Sequence, residues 1–364
     1  MEHGRITSRE PGLTVAELSG APYEIGLAHG RLFRPEIALM RARLISYLDS
    51  ISLGFGGRIL LGIFELLSRR MVPYTPAELK EEMRGIAKGA GQSYRFIFLL
   101  NSLDDVLVNL ACSAVAVGPE NSIDGNLIVG RNLDYPLFFD LLPRLTTVFR
   151  VRPESGQAFV SVSWPGFAAV VTGMNESGVC IFDLTSITRD RRLAGTPALL
   201  INRTALQHSR SVDELTEVVD CSRRTVGKNI MAASPTVARV LETSAASIHV
   251  REAVSGVLAC TNHFESEEMA ARQGSVKAPP KTGLPQHYYS YAFSKERMDR
   301  LTEMVSGRKA GVDDVAAALG TAPVANESTV QSVVFVPETR RILVARREVT
   351  PVSQGEYVEV EGMG

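Results

Sequence analysis

The sequence lacks the features that define several classes of protein. Its 39 Lys+Arg residues balance 40 Asp+Glu residues, for a net charge of −1, whereas a nucleic-acid-binding protein normally has an excess of basic residues that contact phosphates. The four cysteines form no C-x-x-C pair and are irregularly spaced, so neither a disulfide scaffold nor a zinc site is expected. We therefore expect no nucleic-acid partner, no metal and no cofactor.

Long apolar runs are also absent. Residues 44–67 form the most apolar stretch, but Asp49, Arg58 and Glu65 interrupt it, and a membrane-spanning helix needs about 20 apolar residues. The N-terminus, MEHGRITSREPG, has no apolar stretch of the kind that a secretory signal contains. These absences predict a cytoplasmic protein without a membrane span.

The residues that are present favour a globular protein with a large core, since 45% are hydrophobic and 22% are charged. The first hundred residues have apolar side chains at helical spacing, and Thr75 and Pro76 begin a predicted helix over AELKEEMRGIAKGAG. From residue 112 the spacing of apolar residues changes from helical to every second residue, as in a β-strand. Short strands are predicted up to residue 185, among them CSAVAV, NLIVGRN, LTTVFRVR, AFVSVSW, AAVVTGM and GVCIFDLT.

Helices and strands alternate in blocks after residue 185. Helices are predicted over 197–208, 212–220, 295–305 and 312–319, with strands ARVLET, SIHVRE and GVLACTN between them and a terminal hairpin of VQSVVFVP and RILVARR. Runs of strands, then helices, then strands predict an α+β sandwich in which helices cover a two-sheet core. Residues 1–111 are expected to form a helical segment packed outside this core.

A chemically suggestive hairpin joins CSAVAV to NLIVGRN. If Val117 pairs with Leu127, Cys112 lies opposite Asn132 and beside Arg131. A cation next to a thiol stabilises the thiolate. From the residues alone, the alternative is that Cys112 is a small buried hydrophobe in an apolar strand.

Asp134 completes this group only if the strand bends. Side chains alternate across a strand, so Arg131 and Asp134 cannot both lie on the thiol face by parity. A bend after Asn132 is expected, because Pro136 follows and disfavours regular pairing of the residue before it. A thiol, a guanidinium and a carboxylate would then meet at one end of a sheet.

The segment ACSAVAV followed by DGNLIVGRNLDYP resembles the Cys and G-R-N-x-D signature of the cysteine N-terminal-nucleophile amidases. These include bile salt hydrolases, penicillin V acylases, acid ceramidase and N-acylethanolamine acid amidase. The chain resembles the isopenicillin N acyltransferase-like group still more, through APYEIGLAHG, EEMRGIAKGAG, TGMNESG, GTPALLINRTAL and CTNHF. The resemblance implies the four-layer αββα sandwich of N-terminal-nucleophile (Ntn) hydrolases.

The resemblance also implies autocatalytic cleavage of the Ala111–Cys112 bond. The chain would divide into residues 1–111, a helical segment, and residues 112–364, the αββα domain. The two parts are expected to stay associated, and a homo-oligomer is compatible with the sequence. Cys112 would be the nucleophile, and its new α-amino group, with a reference pKa of about 7.7–8.0, would be the general base.

Further roles are implied position by position. Arg131 would steady the thiolate, Asp134 would orient the α-amino group, and Asn262 in CTNHF would donate to the tetrahedral oxyanion. Thr185 stands where bile salt hydrolases have a second oxyanion residue, and the donor there is either a backbone N–H or a side chain. Arg297 matches a later family arginine loosely, and a solvated helix residue is the alternative.

Several residues after the motif strands are candidates for a substrate pocket, although the aromatic ones could equally belong to the core. They are Tyr135, Phe138, Phe139, Trp164, Phe167 and Asn175, and Arg297 is a further pocket candidate. Residues 277–291 form a Pro-rich loop that is either a lid or a plain surface connection.

The leading hypothesis is a self-processing cysteine amidohydrolase that cleaves a linear amide of a small N-acyl substrate through an acyl-thioester on Cys112. One alternative is an acyltransferase that passes the acyl group to an amine. Another is a catalytically idle protein that binds a ligand. The complete set of Cys112, Arg131, Asp134 and Asn262 argues against the idle protein.

Overall fold

The computed structural model describes residues 2–52, 56–106, 111–135, 138–274 and 293–363. Its larger sheet has nine strands in the order β1-β2-β5-β6-β7-β8-β9-β10-β11. All neighbours in it are antiparallel except β2 and β5, which are parallel. The strands are β1 (Gly4–Glu10), β2 (Leu13–Gly20), β5 (Thr147–Pro153), β6 (Phe159–Ser163), β7 (Thr172–Asn175), β8 (Cys180–Thr185), β9 (Lys228–Ala233), β10 (Ala238–Thr243) and β11 (Ile248–Glu252).

The smaller sheet has six antiparallel strands in the order β12-β3-β4-β13-β14-β15. They are β3 (Ala111–Val117), β4 (Ile128–Asp134), β12 (Val257–Cys260), β13 (Thr329–Val336), β14 (Arg341–Arg346) and β15 (Glu356–Val360). The two central strands, β3 and β4, are buried along their whole length. They carry the Cys and G-R-N-x-D segments.

The described residues also form twelve α-helices. They are α1 (Pro22–Leu32), α2 (Arg34–Ile51), α3 (Gly57–Ser68), α4 (Ala77–Ala90), α5 (Tyr94–Leu100), α6 (Leu103–Val106), α7 (Leu142–Leu145), α8 (Ala198–His208), α9 (Val212–Cys221), α10 (Glu267–Ala270), α11 (Ser294–Val305) and α12 (Val312–Leu319).

The layers follow from which helices contact which sheet. Helices α8 and α9 pack on β7 to β10 of the larger sheet, and α11 and α12 pack on β3, β4, β12 and β13 of the smaller one. The apolar side chains of β3 and β4 divide accordingly between two clusters, one that faces the larger sheet and one beneath α11 and α12. The four-layer αββα sandwich expected from the sequence is confirmed.

The start of the chain differs from the helical expectation. Strands β1 and β2 form a hairpin around Gly12, which has a φ of +75° that glycine adopts without strain, and β2 extends the larger sheet by pairing with β5. The expectation that the whole segment lies outside the sandwich is therefore wrong. Their alternation of buried and exposed residues is short and imperfect, so the helical pattern that follows dominates the sequence signal.

Two of the glycine-containing segments noted in the sequence pack against each other. Helix α1 contains Gly26 and Gly30, and α4 contains Gly85 and Gly89. A Cβ at any of these four glycines would overlap backbone atoms of the facing helix. The segments APYEIGLAHG and EEMRGIAKGAG therefore form one close helix crossing.

Candidate active site

Strands β3 and β4 pair one residue out of the expected register. Val117 lies opposite Ile128 and not Leu127, so Cys112 lies opposite Leu133 and not Asn132. Both strands are buried on both faces, which removes the alternation of polar and apolar residues that normally specifies register. A shift of one residue changes which side chains of β4 share the face of the Cys112 thiol.

In the observed register, Arg131 lies on the thiol face. It is opposite Ala114, and its Nη2 is 3.3 Å from the Cys112 Sγ. The same nitrogen donates to the backbone carbonyl of Asp183 at 2.7 Å, and Nη1 donates to the Thr172 hydroxyl at 2.7 Å. The guanidinium thus spans the gap between the two sheets and is held by two groups of the larger sheet.

The expected bend after Asn132 is wrong. Strand β4 continues regularly through Asp134, which pairs with Ala111 on one side and with Thr329 of β13 on the other. The irregularity falls in β13 instead, between Thr329 and Gln331. Side chains therefore alternate along β4 as in a regular strand, and Asp134 lies on the opposite face of the sheet from the thiol.

Asp134 is held on that face by three donors. Its carboxylate accepts hydrogen bonds from the Thr329 hydroxyl at 2.7 Å and the Asn326 amide at 2.9 Å, and Arg297 Nη1 lies 3.4 Å away. Burial raises the pKa of Asp134, and Arg297 and the two hydrogen bonds offset part of that effect. Arg297 therefore connects Asp134 to the carbonyl of Cys112, whereas the thiol lies on the other face of the sheet.

Arg297 connects most of the predicted site residues. From α11, its Nη1 donates to the Cys112 carbonyl at 2.7 Å and to the Ser113 hydroxyl at 2.8 Å, and its Nη2 donates to Asn262 Oδ1 at 2.7 Å. Its side chain is 1% exposed, so the alternative of a solvated helix residue is wrong. From the sequence, Arg297 was only loosely matched to an arginine of the family.

Asn262 lies against the backbone of the nucleophile. It follows β12, the strand beside β3, and its Oδ1 accepts the Cys112 N–H at 2.9 Å. Its Nδ2 donates to the Thr185 carbonyl at 2.8 Å. Asn262 thus contacts the N–H of the bond whose cleavage the sequence predicts, and an amide nitrogen has a second hydrogen available to an oxyanion.

Thr185 is placed by a buried ionic group that sequence reasoning missed. Its hydroxyl donates to Asp104 at 3.0 Å and accepts from Lys228 Nζ at 3.0 Å, and Lys228 also contacts both Asp104 and Asp183. The Thr185 hydroxyl is therefore engaged away from Cys112, while its carbonyl holds Asn262. Two features of the sequence could have predicted this group. Lys228 begins the otherwise mostly apolar segment KNIMAA, and Asp183 and Thr185 are polar residues two positions apart in an apolar strand.

Ionisation in this group follows from burial and pairing. Burial disfavours the Lys228 ammonium, but its contacts with Asp104 and Asp183 outweigh burial and raise the pKa of Lys228. Burial raises the pKa of Asp104, and Lys228 opposes that change. The group is a charged cluster in which one ammonium is shared by two carboxylates.

The Cys112 thiol is subject to two opposing effects. Burial raises its pKa, and the nearby Arg131 guanidinium opposes that rise without reversing it. The expectation that the cation lowers the thiol pKa therefore describes only one of the two contributions. In the continuous chain the thiol is stabilised in its protonated form.

An apolar cavity of about 30 Å³ lies beside the nucleophile strand. Leu133, which is opposite Cys112 in the β3–β4 pairing, forms part of its wall. The described residues that line it are Met40, Leu100, Leu103, Asp104, Leu133, Tyr135, Phe138, Leu142, Trp164, Phe167, Val171 and Leu199. The two alternatives for the aromatic residues, core and pocket, therefore both hold, because these side chains pack in the core and also border the cavity.

Four of the seven proposed pocket residues border this cavity, namely Tyr135, Phe138, Trp164 and Phe167. Arg297 does not line it and contacts the Cys112 carbonyl instead. Phe139 and Asn175 do not line it: Phe139 is 37% exposed, and Asn175 is buried away from the cavity. The Asn175 side chain accepts the Ser177 and Val179 N–H groups and donates to two carbonyls near the end of α8. It stabilises a turn and a helix end.

Three other expectations concern loops, metals and membranes. The loop over 277–291 lies outside the described residues. Within the described ranges, no group of three His, Cys, Asp or Glu side chains is arranged to hold a metal ion. No helix in the same part of the chain is long and apolar enough to cross a bilayer.

Comparison with known proteins finds a family and several relatives. The family model for acyl-coenzyme A:6-aminopenicillanic acid acyl-transferase matches residues 121–344. This range begins after Cys112 and includes Arg131, Asp134, Asn262 and Arg297. It covers more than half of the 364 residues.

Two curated relatives match part of the chain. An uncharacterized protein of Archaeoglobus fulgidus is 27% identical over 253 residues, which are 61% of this chain and 41% of the relative. Protein dcd1A of Dictyostelium discoideum is 29% identical over 242 residues, which are 58% of this chain and 54% of the relative. The chain spans about half the length of the curated relatives it matches.

Two solved structures are similar at low identity. A Caenorhabditis elegans ortholog of N-acylethanolamine-hydrolyzing acid amidase gives a TM-score of 0.48 at 17% identity, over 62% of this chain and 93% of that one. Penicillin V acylase from Agrobacterium tumefaciens gives a TM-score of 0.41 at 12% identity, over 69% and 86%.

Proposed function

The chain belongs to the acyl-coenzyme A:6-aminopenicillanic acid acyl-transferase family, and from this membership we propose that it is a self-processing cysteine amidohydrolase. Its substrate is a small molecule with a linear N-acyl amide bond. The observation that carries the proposal is the contact set of Cys112: its thiol with Arg131, its N–H with Asn262 and its carbonyl with Arg297. A buried structural cysteine needs no guanidinium at its thiol, and within a sheet its N–H and carbonyl are normally paired with backbone groups and not with side chains.

Self-processing proceeds by an N-to-S acyl shift. The Cys112 sulfur attacks the Ala111 carbonyl carbon, the C–N bond between the two residues breaks as a C–S bond forms, and the thiol proton goes to the departing nitrogen. Water then hydrolyses the thioester, which releases the Ala111 carboxylate and restores the thiol. The contact of the Asn262 side chain with the nitrogen that departs supports a role for Asn262 in this step.

The same residues serve the amide substrate after maturation. The freed α-amino group of Cys112 takes the thiol proton as general base, and Arg131 stabilises the thiolate. Asn262 donates to the oxyanion of the tetrahedral intermediate. Asp134 orients the α-amino end of Cys112 by way of Arg297, which contacts Asp134 and donates to Asn262 Oδ1, the acceptor of the Cys112 N–H. The resulting acyl-thioester is hydrolysed by water.

A mass measurement under denaturing conditions tests self-processing. The whole-chain mass of 39.5 kDa divides in proportion to 111 and 253 residues of the 364 into fragments of about 12 and 27 kDa. Cys112→Ala abolishes cleavage because the attacking sulfur is lost. Cys260→Ala, which alters a buried cysteine on the neighbouring strand β12, is the matched control and is expected to cleave.

We expect the two fragments to remain together under native conditions. Strand β2 of the first fragment pairs with β5 of the second, and β1 pairs with β2. The fragments should therefore co-elute in native size-exclusion chromatography after cleavage. An active enzyme that consists only of uncleaved chain would contradict self-processing.

Acyl transfer to an amine is the second candidate, favoured by the acyltransferase description of the family. Both reactions share the acyl-thioester and differ in whether water or an amine attacks it. Adding a competing amine to an amidase assay separates them. A transferase forms a new amide at the expense of free acid, whereas a hydrolase releases the same amount of free acid with or without the amine.

A further inference from the structure

Lys228 is a buried lysine that takes no direct part in the reaction. It begins β9 and is 1% exposed. Its ammonium contacts Asp104, donates to Asp183 Oδ2 at 2.8 Å and donates to the Thr185 hydroxyl at 3.0 Å. A buried ion pair contributes little net stability compared with apolar packing, so stability alone does not explain this group.

The pairing of β8 with β9 places these side chains on one face of the larger sheet. Lys228 lies directly opposite Thr185, and Asp183 is two residues from Thr185 on the same strand and therefore shares its face. Asp104 of α6 supplies the second carboxylate. One ammonium thus ties the last residues of β8 both to β9 and to α6.

The backbone of the same end of β8 holds two residues of the site. Strand β7 pairs with β8 only as far as Phe182, and the carbonyls of the residues beyond it accept hydrogen bonds from side chains. The Asp183 carbonyl accepts from Arg131 Nη2 at 2.7 Å, and the Thr185 carbonyl accepts from Asn262 Nδ2 at 2.8 Å. The residues that Lys228 fixes by their side chains therefore hold Arg131 and Asn262 by their carbonyls.

Both of these contacts lead directly to the nucleophile. Arg131 Nη2 is 3.3 Å from the Cys112 Sγ, and Asn262 Oδ1 accepts the Cys112 N–H at 2.9 Å. A shift of the end of β8 would displace both side chains from Cys112 at once. A misplacement of about 1 Å can lower the rate of an enzyme by about 10²-fold.

We propose that Lys228 is a positioning residue for the reaction of Cys112. Its ammonium fixes the end of β8, and this strand end holds the two side chains that contact the nucleophile. The inference rests on the proposed amidase function and adds a residue that acts through others. Lys228 therefore affects the thiolate and the oxyanion without contact with the reacting atoms.

The test replaces Lys228 by methionine in the full chain, which removes the ammonium and keeps an unbranched side chain. Two rates are measured per folded protein: cleavage at Ala111–Cys112 after cell-free synthesis, and hydrolysis of the 4-nitroanilides of straight-chain fatty acids. We expect both to fall by about 10–10²-fold. The loss should appear in kcat with KM unchanged, because the displaced groups act in the transition state. Wild-type values in this variant would overturn the proposal.

A second buried ion pair supplies the matched control. Glu82 of α4 and Arg203 of α8 pair at 3.0 Å, with side chains that are 4% and 3% exposed. Glu82→Gln breaks this pair and destabilises the fold, but neither residue contacts Cys112 or the end of β8. We expect its rates per folded protein to match the wild type. Equal losses in the two variants would reduce the role of Lys228 to general stability and contradict positioning.

Combination with Asn262→Ala separates positioning from an independent effect. If Lys228 acts through the end of β8, removal of Asn262 removes one of the two side chains that it positions. Lys228→Met should then lower kcat by a smaller factor in the Asn262→Ala background than in the wild type. Equal factors in the two backgrounds would show that Lys228 acts independently of the site and would contradict the proposal.

A charge-balanced variant covers the case in which Lys228→Met does not fold. Lys228→Met combined with Asp104→Asn removes one charge of each sign, and Asp183 keeps its hydrogen bond from Asn202 at 2.9 Å. This double variant also lacks the ammonium at the end of β8, so we expect the same losses of cleavage and kcat. A folded double variant with wild-type rates would overturn the proposal.

Failure of the proposed function gives a different result. In that case the wild-type chain stays uncleaved and hydrolyses none of the anilides, and the inference about Lys228 falls together with the amidase proposal. A wild-type chain that cleaves itself and hydrolyses an anilide at the same rates as Lys228→Met overturns the positioning role alone.

Discussion

At the scale of single residues, the backbone of Cys112 is as closely held as its thiol. Asn262 contacts the N–H and Arg297 contacts the carbonyl, so the peptide groups on both sides of the residue are fixed. Because Asn262 Oδ1 accepts while its Nδ2 donates, one side chain has two separable functions. The oxygen accepts the Cys112 N–H, and the NH₂ group is the donor that we propose for the oxyanion.

Substitution of Asn262 separates these functions. Asn262→Ala should lower turnover about 10²–10³-fold, the usual cost of losing one oxyanion donor, while alkylation of Cys112 by iodoacetamide continues. Asn262→Asp keeps the acceptor for the Cys112 N–H and loses the donor, so its turnover should fall by a similar factor. Equal losses of turnover and alkylation in the alanine variant would contradict an oxyanion role.

At the scale of elements, the crossing of α1 and α4 explains two glycine-containing segments that have no catalytic residue. Gly26 and Gly85 lie where the helices touch, and a Cβ at either would overlap backbone of the other helix. Backbone atoms cannot rotate away as a side chain can. Glycine is therefore required there by the approach of the helices.

Substitution of Gly85 by alanine measures this requirement. The Cβ would overlap the Tyr23 carbonyl oxygen, so we expect the free energy of unfolding to fall by about 1–3 kcal/mol or more in urea titrations. Gly62→Ala in α3 is the matched control, since nothing lies within 4 Å of its Cβ and alanine should stabilise a helix by about 0.5–1 kcal/mol. Equal effects in the two variants would contradict the packing explanation.

At the scale of the whole molecule, the first hundred residues are integrated into the sandwich. Strand β2 pairs with β5, and His29 of α1 accepts the Gly166 N–H at 2.8 Å from the loop after β6. His29 also stacks against Phe149 of β5. Cleavage at Ala111–Cys112 would break the chain without removing these contacts.

Acid should weaken this integration through His29. Burial lowers the pKa of His29 to about 3, whereas an unfolded histidine titrates near 6.5, so the unfolded chain binds a proton between these values that the folded chain does not. The free energy of unfolding therefore falls as the pH drops below about 6.5, by up to about 1.4 kcal/mol per pH unit from this group.

His29→Gln should reduce that acid sensitivity, because glutamine offers an acceptor to Gly166 and does not titrate. Urea unfolding of both proteins from pH 7.5 to 4.5 provides the comparison. We expect the wild-type free energy of unfolding to decline more steeply than that of the variant. Parallel declines would show that His29 is not the responsible group.

Local patterns in the sequence predicted most of the elements. Helices over 212–220 and 312–319 and strands such as GVCIFDLT are confirmed, because hydrophobic period and capping residues are local properties. The sandwich and its family are confirmed as well. The strands β1, β2, β9 and β15 were not predicted, because none of them has a strict alternation of apolar and polar residues.

The sequence by itself determined most of the helices and strands, the family and the candidate group of Cys112, Arg131, Asp134 and Asn262. Only the tertiary structure decided the register of β3 and β4, which places Arg131 on the thiol face and Asp134 behind it. It also decided that Arg297 joins the site and that Asp104 borders the cavity. The reason is physical. Period and motif are set by neighbours in the chain, whereas the register of two strands buried on both faces depends on the packing around them. The contacts of Arg297 and Asp104 join residues more than a hundred positions apart.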